Sequence, residues 1–215
     1  MAIVSPSILS ADFGNLERDI NILKNAGAEY VHIDVMDGQF VNNISFGTSV
    51  VKCIRKCTDL VLDVHLMIVE PERYIDAFLE AGSDIITIHL ESTNKADEII
   101  DKIKAAGKKV GITIKPKTPV SETIKYLDRV DMVLLMSVEP GFGGQKYIPS
   151  TDEKIVELKN EIIKSGRNID IEIDGGITEE NVKNAVEKGV NVVVAGSAVF
   201  NSKDINKTVS YMKNL

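Results

Sequence analysis

Tryptophan is absent from this chain, aromatic residues make up only 5% of it, and just 2 cysteines and 6 prolines occur among its 215 residues. Each scarcity narrows the choice of class. Cys53 and Cys57 stand four apart in a stretch with helical character, which makes neither a disulfide framework nor a zinc-knuckle spacing, so both are expected as reduced thiols. So few prolines, with only 15 glycines, exclude collagen-like and low-complexity disordered chains. No apolar run approaches the ~20 residues that span a bilayer. Met1 to Ser10 carries neither a basic segment nor a cleavage site, so a cytoplasmic location with no membrane partner is expected. Positive charge is also short: 25 Lys and Arg face 32 Asp and Glu, a net of -7. That balance repels polyanions, and no nucleic-acid partner is expected.

What is present is aliphatic. Hydrophobic residues make up 44% of the chain, and without tryptophan a core of Val, Ile, Leu and Ala must carry the stability, as in parallel sheets. Eight short β-branched runs recur: Ile3 to Leu9, Tyr30 to Val35, Leu60 to Met67, Ile85 to His89, Val110 to Ile114, Met132 to Met136, Ile169 to Asp174 and Val190 to Ala195. Each reads as a strand covered on both faces. Between them lie helical periods, marked by Leu16, Ile20, Ile22, Leu23 and Ala26, by Ile99, Ile100, Ile103 and Ala106, and by Ile155, Leu158, Ile162 and Ile163. Gly27, Gly82, Gly107, Gly166 and Gly189 close such segments, and Pro71 opens one. Eight strand-helix units without a linker predict one (β/α)₈ TIM barrel, a single catalytic domain over residues 1–215. The rival is a doubly wound open sheet, but no Gly-x-Gly-x-x-Gly follows the first run.

Active sites of such barrels lie at the C-terminal ends of the strands. All 3 histidines of the chain fall in the predicted strands, as His32, His65 and His89. His32 and Asp34, two apart on one strand, share a face. Strand three brings His65 beside them, and strand seven brings Asp174 from the far wall. Two imidazoles and two carboxylates suit one divalent ion of the Zn²⁺, Fe²⁺, Mn²⁺ or Co²⁺ type and are too rich in nitrogen for a Mg²⁺ or Ca²⁺ cage. A purely structural His and Asp network is the alternative. Asp63, two before His65, is expected to orient it, His89 either to donate to the cluster from behind or, the favoured reading, to bond to backbone, and Asp37-Gly38 to make a turn.

Glycine-rich loops follow the last three strands: Pro140-Gly141-Phe142-Gly143-Gly144-Gln145, Asp174-Gly175-Gly176 and Ala195-Gly196-Ser197. Their backbone N–H groups can approach an anion closely, which offers a phosphate site to an acidic protein, although tight turns alone also use glycine. Met36, Met67 and Met136 fall at strand ends, either as an apolar lid over the reacting centre or as ordinary packing. Lys115, after strand five, is the one lysine placed at the expected active-site mouth, either solvated or, less favoured, a Schiff-base nucleophile.

The segments Ser5-Pro6-Ser7-Ile8-Leu9-Ser10-Ala11-Asp12-Phe13, His32-Ile33-Asp34-Val35-Met36-Asp37-Gly38, Asp63-Val64-His65-Leu66-Met67, Met136 to Gln145 and Asp174-Gly175-Gly176-Ile177 closely resemble the ribulose-phosphate 3-epimerase family over nearly the whole chain. The resemblance implies a metal-dependent isomerase that interconverts D-ribulose 5-phosphate and D-xylulose 5-phosphate at carbon 3, a step of pentose phosphate metabolism. It places metal ligands on His32, Asp34, His65 and Asp174, and the acid/base pair on Asp34 and Asp174. Substrate contacts fall on Ser7, on His65, on the loops carrying Gly141, Phe142, Gly143, Gly144, Gly175, Gly176, Gly196 and Ser197, and on a cap of Met36, Met67 and Met136. Inverting a carbon whose proton is barely acidic independently calls for two carboxylates on opposing walls and a positive centre for the enediolate.

Two positions depart from the family pattern: Asn42 replaces a usual proline in Val41-Asn42-Asn43-Ile44, and Lys115 replaces a usual asparagine before Pro116. They leave the reaction unchanged but open an alternative substrate, D-allulose 6-phosphate, with a Schiff-base aldolase through Lys115 as a more distant alternative. By analogy with other compact barrels, a homo-oligomer is expected.

Overall fold

In the computed structural model, which describes residues 1–215, eight parallel strands alternate with helices. The strands are β1 (Ile3–Ser5), β2 (Tyr30–Met36), β3 (Val61–Met67), β4 (Ile85–His89), β5 (Lys109–Ile114), β6 (Met132–Met136), β7 (Asp170–Asp174) and β8 (Val192–Val194). The helices are α1 (Leu16–Ala26), α2 (Thr48–Cys57), α3 (Ile75–Ala81), α4 (Ala96–Ala105), α5 (Ser121–Ile124), α6 (Thr151–Ser165), α7 (Val182–Lys188), α8 (Ser197–Phe200) and α9 (Ile205–Lys213). The ladder runs β1-β8-β7-β6-β5-β4-β3-β2. At the β1–β2 seam the His32 N–H donates to the Pro6 carbonyl at 3.1 Å, and Ser7 bridges His32 in parallel. The eight-stranded barrel expected from the sequence is therefore present and nearly closed.

Two strands fall short of their apolar runs by more than one residue. Pro6 has no N–H to give a ladder, so β1 stops at Ser5, and Ser7 instead caps a 3₁₀ turn over Ile8–Ser10 by accepting the Leu9 N–H. In the last run only Val192–Val194 pair, so β8 also falls short of the expected Val190 to Ala195.

A core of Val, Ile, Leu and Ala fills the space between sheet and helices. The helices turn one stripe to it: Ile20 and Leu23 of α1, Ile99, Ile100 and Ile103 of α4, and Ile155, Leu158 and Ile162 of α6 are all buried. Ile22 and Ile163, which the periodicity also assigned to these stripes, are exposed, because each lies about 100° away from its buried neighbour. Gly27 and Gly166 end α1 and α6 in left-handed backbone, satisfying the last carbonyls. Cys53 and Cys57 are free thiols on α2, and the Cys57 S–H donates to the Cys53 carbonyl.

Inside the barrel the parallel register stacks side chains in tiers drawn from alternate strands. The floor is an apolar plug of Tyr30, Ile85, Met132 and Val192, from β2, β4, β6 and β8. Above it the interior turns polar. Ser5, Asp63 and Glu172 come from β1, β3 and β7, and Gly111 of β5 leaves its place to Thr87, whose Oγ1 would lie 2.2 Å from a Cβ there.

Candidate active site

Alternation along β2 turns His32, Asp34 and Met36 inward. The β2–β3 register sets His32 beside Asp63, Asp34 beside His65 and Met36 beside Met67, while β7 carries Glu172 and Asp174. His32, Asp34, His65 and Asp174 each present one ligand atom, and these four atoms lie within 4.8 Å of one another. Asp34 Oδ1 sits 3.3 Å from His32 Nε2 and 3.1 Å from His65 Nδ1, and Asp174 Oδ2 lies 3.8 Å from the same His65 nitrogen. The far side of Asp34 is held by Ser7, whose hydroxyl donates to Oδ2 at 2.6 Å.

The donor set fits a divalent cation. His32 Nε2 is buried without a hydrogen-bond partner and aims into the cluster, while its Nδ1 is engaged by Asp63 Oδ2 at 2.7 Å. An imidazole held at one nitrogen and bare at the other is how a metal-ligating histidine is presented. The cluster can therefore hold one ion with two nitrogen and two oxygen donors.

The two carboxylates differ in proton affinity. Burial alone would raise both. In Asp34 the nearby charges of His32 and His65, with the His65 contact at 3.1 Å, outweigh burial and hold the carboxyl far below the usual range. In Asp174 burial prevails, the Asp34 charge adds to it, and the carboxyl is pushed up to about 6. Burial opposes charging His32, yet Asp34 and Asp63 outweigh it and hold its proton affinity well above the ordinary value. One carboxylate that stays ionised beside one whose proton affinity is raised towards neutrality is the division of labour of an acid/base pair.

Asp34 and Asp174 open into a cleft at the C-terminal ends of the strands. Ser7, the three methionines, Gly141 to Gly144, Gly175, Gly176, Gly196 and Ser197 line the same cleft. His32 and His65 lie beneath it, fully buried. Met36 and Met67 pack with Val41, and Met136 with Leu134 and Val138, so the methionines are packed core and cleft wall together. The glycines divide in the same way. Gly176, at φ 65°, has the Tyr147 backbone nitrogen 2.4 Å from where a Cβ would stand, so loop packing alone demands glycine there. Gly144 has open space around it, which leaves its backbone free to face a ligand.

Three expectations need correction. Asp63 accepts from His32 Nδ1 and Ser5 Oγ and does not orient His65, because the register sets it level with His32. His89 makes no backbone bond through its ring: Nε2 lies 2.9 Å from His65 Nε2, and Nδ1 3.3 Å from Glu91 Oε2. Lys115 is not part of the cleft wall. Its Nζ stands 3.9 Å over the Phe40 ring, in a neighbouring recess shared with Asn42 and Phe142. The Asp37 turn is as expected, and Asp37 also ties the loop to β3 by accepting the Val69 N–H. Glu172 went unnoticed in the sequence. It shares a face with Asp174 two residues on, and that spacing was the available signal.

A cation-ready His and Asp cluster beneath a glycine-rimmed cleft, at the strand ends of a (β/α)₈ barrel, defines a class of sugar-phosphate isomerase sites with two opposed carboxylates. The pattern described as the ribulose-phosphate 3 epimerase family matches residues 3–200, and the chain belongs to that family. The chloroplastic ribulose-5-phosphate-3-epimerase of Arabidopsis thaliana is 47% identical over 98% of this chain and 76% of its own length. The ribulose-phosphate 3-epimerase of Bacillus subtilis is also 47% identical, over 98% of this chain and 97% of its own. Among solved structures, 3-hexulose-6-phosphate synthase from Salmonella typhimurium superposes with a TM-score of 0.71 at 19% identity, covering 100% of this chain and 97% of that one, which bears on the fold alone. No helix is long and apolar enough to cross a membrane.

Proposed function

We propose that this protein inverts carbon 3 of D-ribulose 5-phosphate to give D-xylulose 5-phosphate, using Asp34 and Asp174 as paired acid and base. The observation that carries this reading is the placement of two carboxylates, Asp34 from β2 and Asp174 from β7, on one cleft. Asp34, ionised and steadied by Ser7, removes the proton from carbon 3 on one face. Asp174 returns a proton to the opposite face, and the two exchange roles in the reverse direction. A divalent cation held by His32, Asp34, His65 and Asp174 would supply Lewis-acid stabilisation of the enediolate oxygens. The 2N2O donor set favours Zn²⁺, Fe²⁺, Mn²⁺ or Co²⁺.

The loops at Gly143-Gly144 and Gly196-Ser197 offer backbone N–H groups to the substrate phosphate, which fits an acidic protein because no lysine or arginine lines the cleft. Met36, Met67 and Met136 keep water from the reacting carbon. Turnover in deuterated water tests the scheme: the product should carry deuterium at carbon 3, and unlabelled product would defeat it. A kcat/KM for D-allulose 6-phosphate above that for D-ribulose 5-phosphate would move the assignment to the longer sugar. Borohydride trapping on Lys115 would move it to Schiff-base chemistry.

A further inference from the structure

We propose that Glu91 is a positioning residue that makes His65 competent to bind a cation, by fixing through His89 which nitrogen of each imidazole carries the proton. The inference rests on the metal reading above and concerns a residue that reaches the cluster only through His89.

With a cation in the cluster, the geometry leaves one consistent proton order. His65 can give its Nδ1 lone pair to the cluster only if its proton sits on Nε2. That nitrogen lies 2.9 Å from His89 Nε2, and of two nitrogens in contact one must donate and the other accept. His89 must therefore accept at Nε2 and carry its own proton on Nδ1. The partner of His89 Nδ1 is Glu91 Oε2, 3.3 Å away, an oxygen that can only accept while the carboxyl is ionised. The reverse order would aim a lone pair of His89 at a carboxylate and put the His65 proton where the ion must bind.

Glu91 is itself fixed. Its Oε1 accepts the Lys115 N–H at 2.7 Å and the Thr118 hydroxyl at 2.5 Å, so the loop after β5 orients the carboxylate. The rings of the chain are also immobilised: His65 and His89 meet edge to edge with centroids 5.0 Å apart and planes 29° apart, and Phe40 covers His89 at 4.7 Å. His89 is fully buried, so no solvent stands in for a missing partner.

Glu91→Gln tests this with little change of shape. The single amide oxygen keeps the two donors, Lys115 N–H and Thr118 O–H, which leaves the NH₂ facing His89 Nδ1. The His89 proton must then move to Nε2 and the His65 proton to Nδ1. With only 3 histidines in the chain, two-bond and three-bond ¹H–¹⁵N correlation spectra of the metal-free protein resolve each tautomer. Zn²⁺ affinity follows from competition with a chelating dye. Wild type should show a proton on His65 Nε2, whether or not Asp34 also draws one to Nδ1, and the His89 proton on Nδ1. Glu91→Gln should clear His65 Nε2, move the His89 proton to Nε2 and weaken Zn²⁺ binding by about 10- to 100-fold. Wild-type spectra with the His89 proton on Nε2 would overturn the proposal without any variant. It also falls if the variant's protons stay in place, or if they invert while affinity stays within about twofold of wild type. Failure of wild type to bind Zn²⁺ at all would instead remove the metal reading.

Discussion

Replacing Asp174 by Asn should stabilise the metal-free protein while destroying its activity. The ionised form of Asp174 is disfavoured by burial and by the neighbouring Asp34 charge, which raise its proton affinity from 3.8 to about 6. At ~1.4 kcal/mol per pH unit, ionising the folded carboxyl near pH 8 costs about 3 kcal/mol relative to the unfolded chain. The sign follows from the raised folded value: the group's stabilising contribution is complete below the ordinary carboxylate value and is lost as pH rises to about 6. Asn keeps the shape without the charge, so the variant escapes that cost. For a domain of this size the gain corresponds to roughly 6–12 °C in Tm. The assay is thermal unfolding of both proteins in EDTA from pH 8 down to pH 4. The gain should be full above pH 6 and fade towards pH 4. A gain of less than about 2 °C at pH 8, or one that persists undiminished at pH 4, would refute the argument that Asp174 is a strained charge held ready for a cation and a proton.

The remaining predictions concern the same barrel. Asp34→Asn should lower kcat by about 10²–10⁴-fold with the fold intact by circular dichroism, and a rate near wild type would remove Asp34 from the pair. Gly176→Ala forces an alanine to φ 65° against the Tyr147 backbone nitrogen, and urea denaturation should show a loss of about 1–3 kcal/mol. Gly111→Ala sets a Cβ within 2.2 Å of Thr87 Oγ1. It should cost about 1–3 kcal/mol by overpacking, and Thr87→Ala in the same chain should recover most of it. Chelation of the purified enzyme should abolish turnover, and one equivalent of Zn²⁺ or Co²⁺ should restore it together with a higher Tm; turnover that persists in EDTA would exclude a metal role.

Much of the barrel was legible because each strand is buried on both faces and so reads as a continuous apolar run, while each helix reads at a 3.6-residue period. Where the pattern misled, backbone chemistry or a neighbour was the reason. Pro6 cut β1 short by lacking a donor, and Ile22 and Ile163 lie off the buried stripe of their helices. The cluster was legible because His32 and Asp34 announce a shared face at a spacing of two. The partners behind it were not, since Asp63 lies as close in sequence to His65 as His32 lies to Asp34, and only the β2–β3 register places it against His32.

What the chain determined on its own is thus local: which residues form strands, which face each side chain takes, where glycine permits the backbone to turn. The ring of strands decided the rest. Whether an imidazole meets a carboxylate, another imidazole or a cation depends on which strands become neighbours and at what stagger. The same geometry separates Asp34 from Asp174 in proton affinity, because burial and nearby charge belong to the assembled interior and to no single segment.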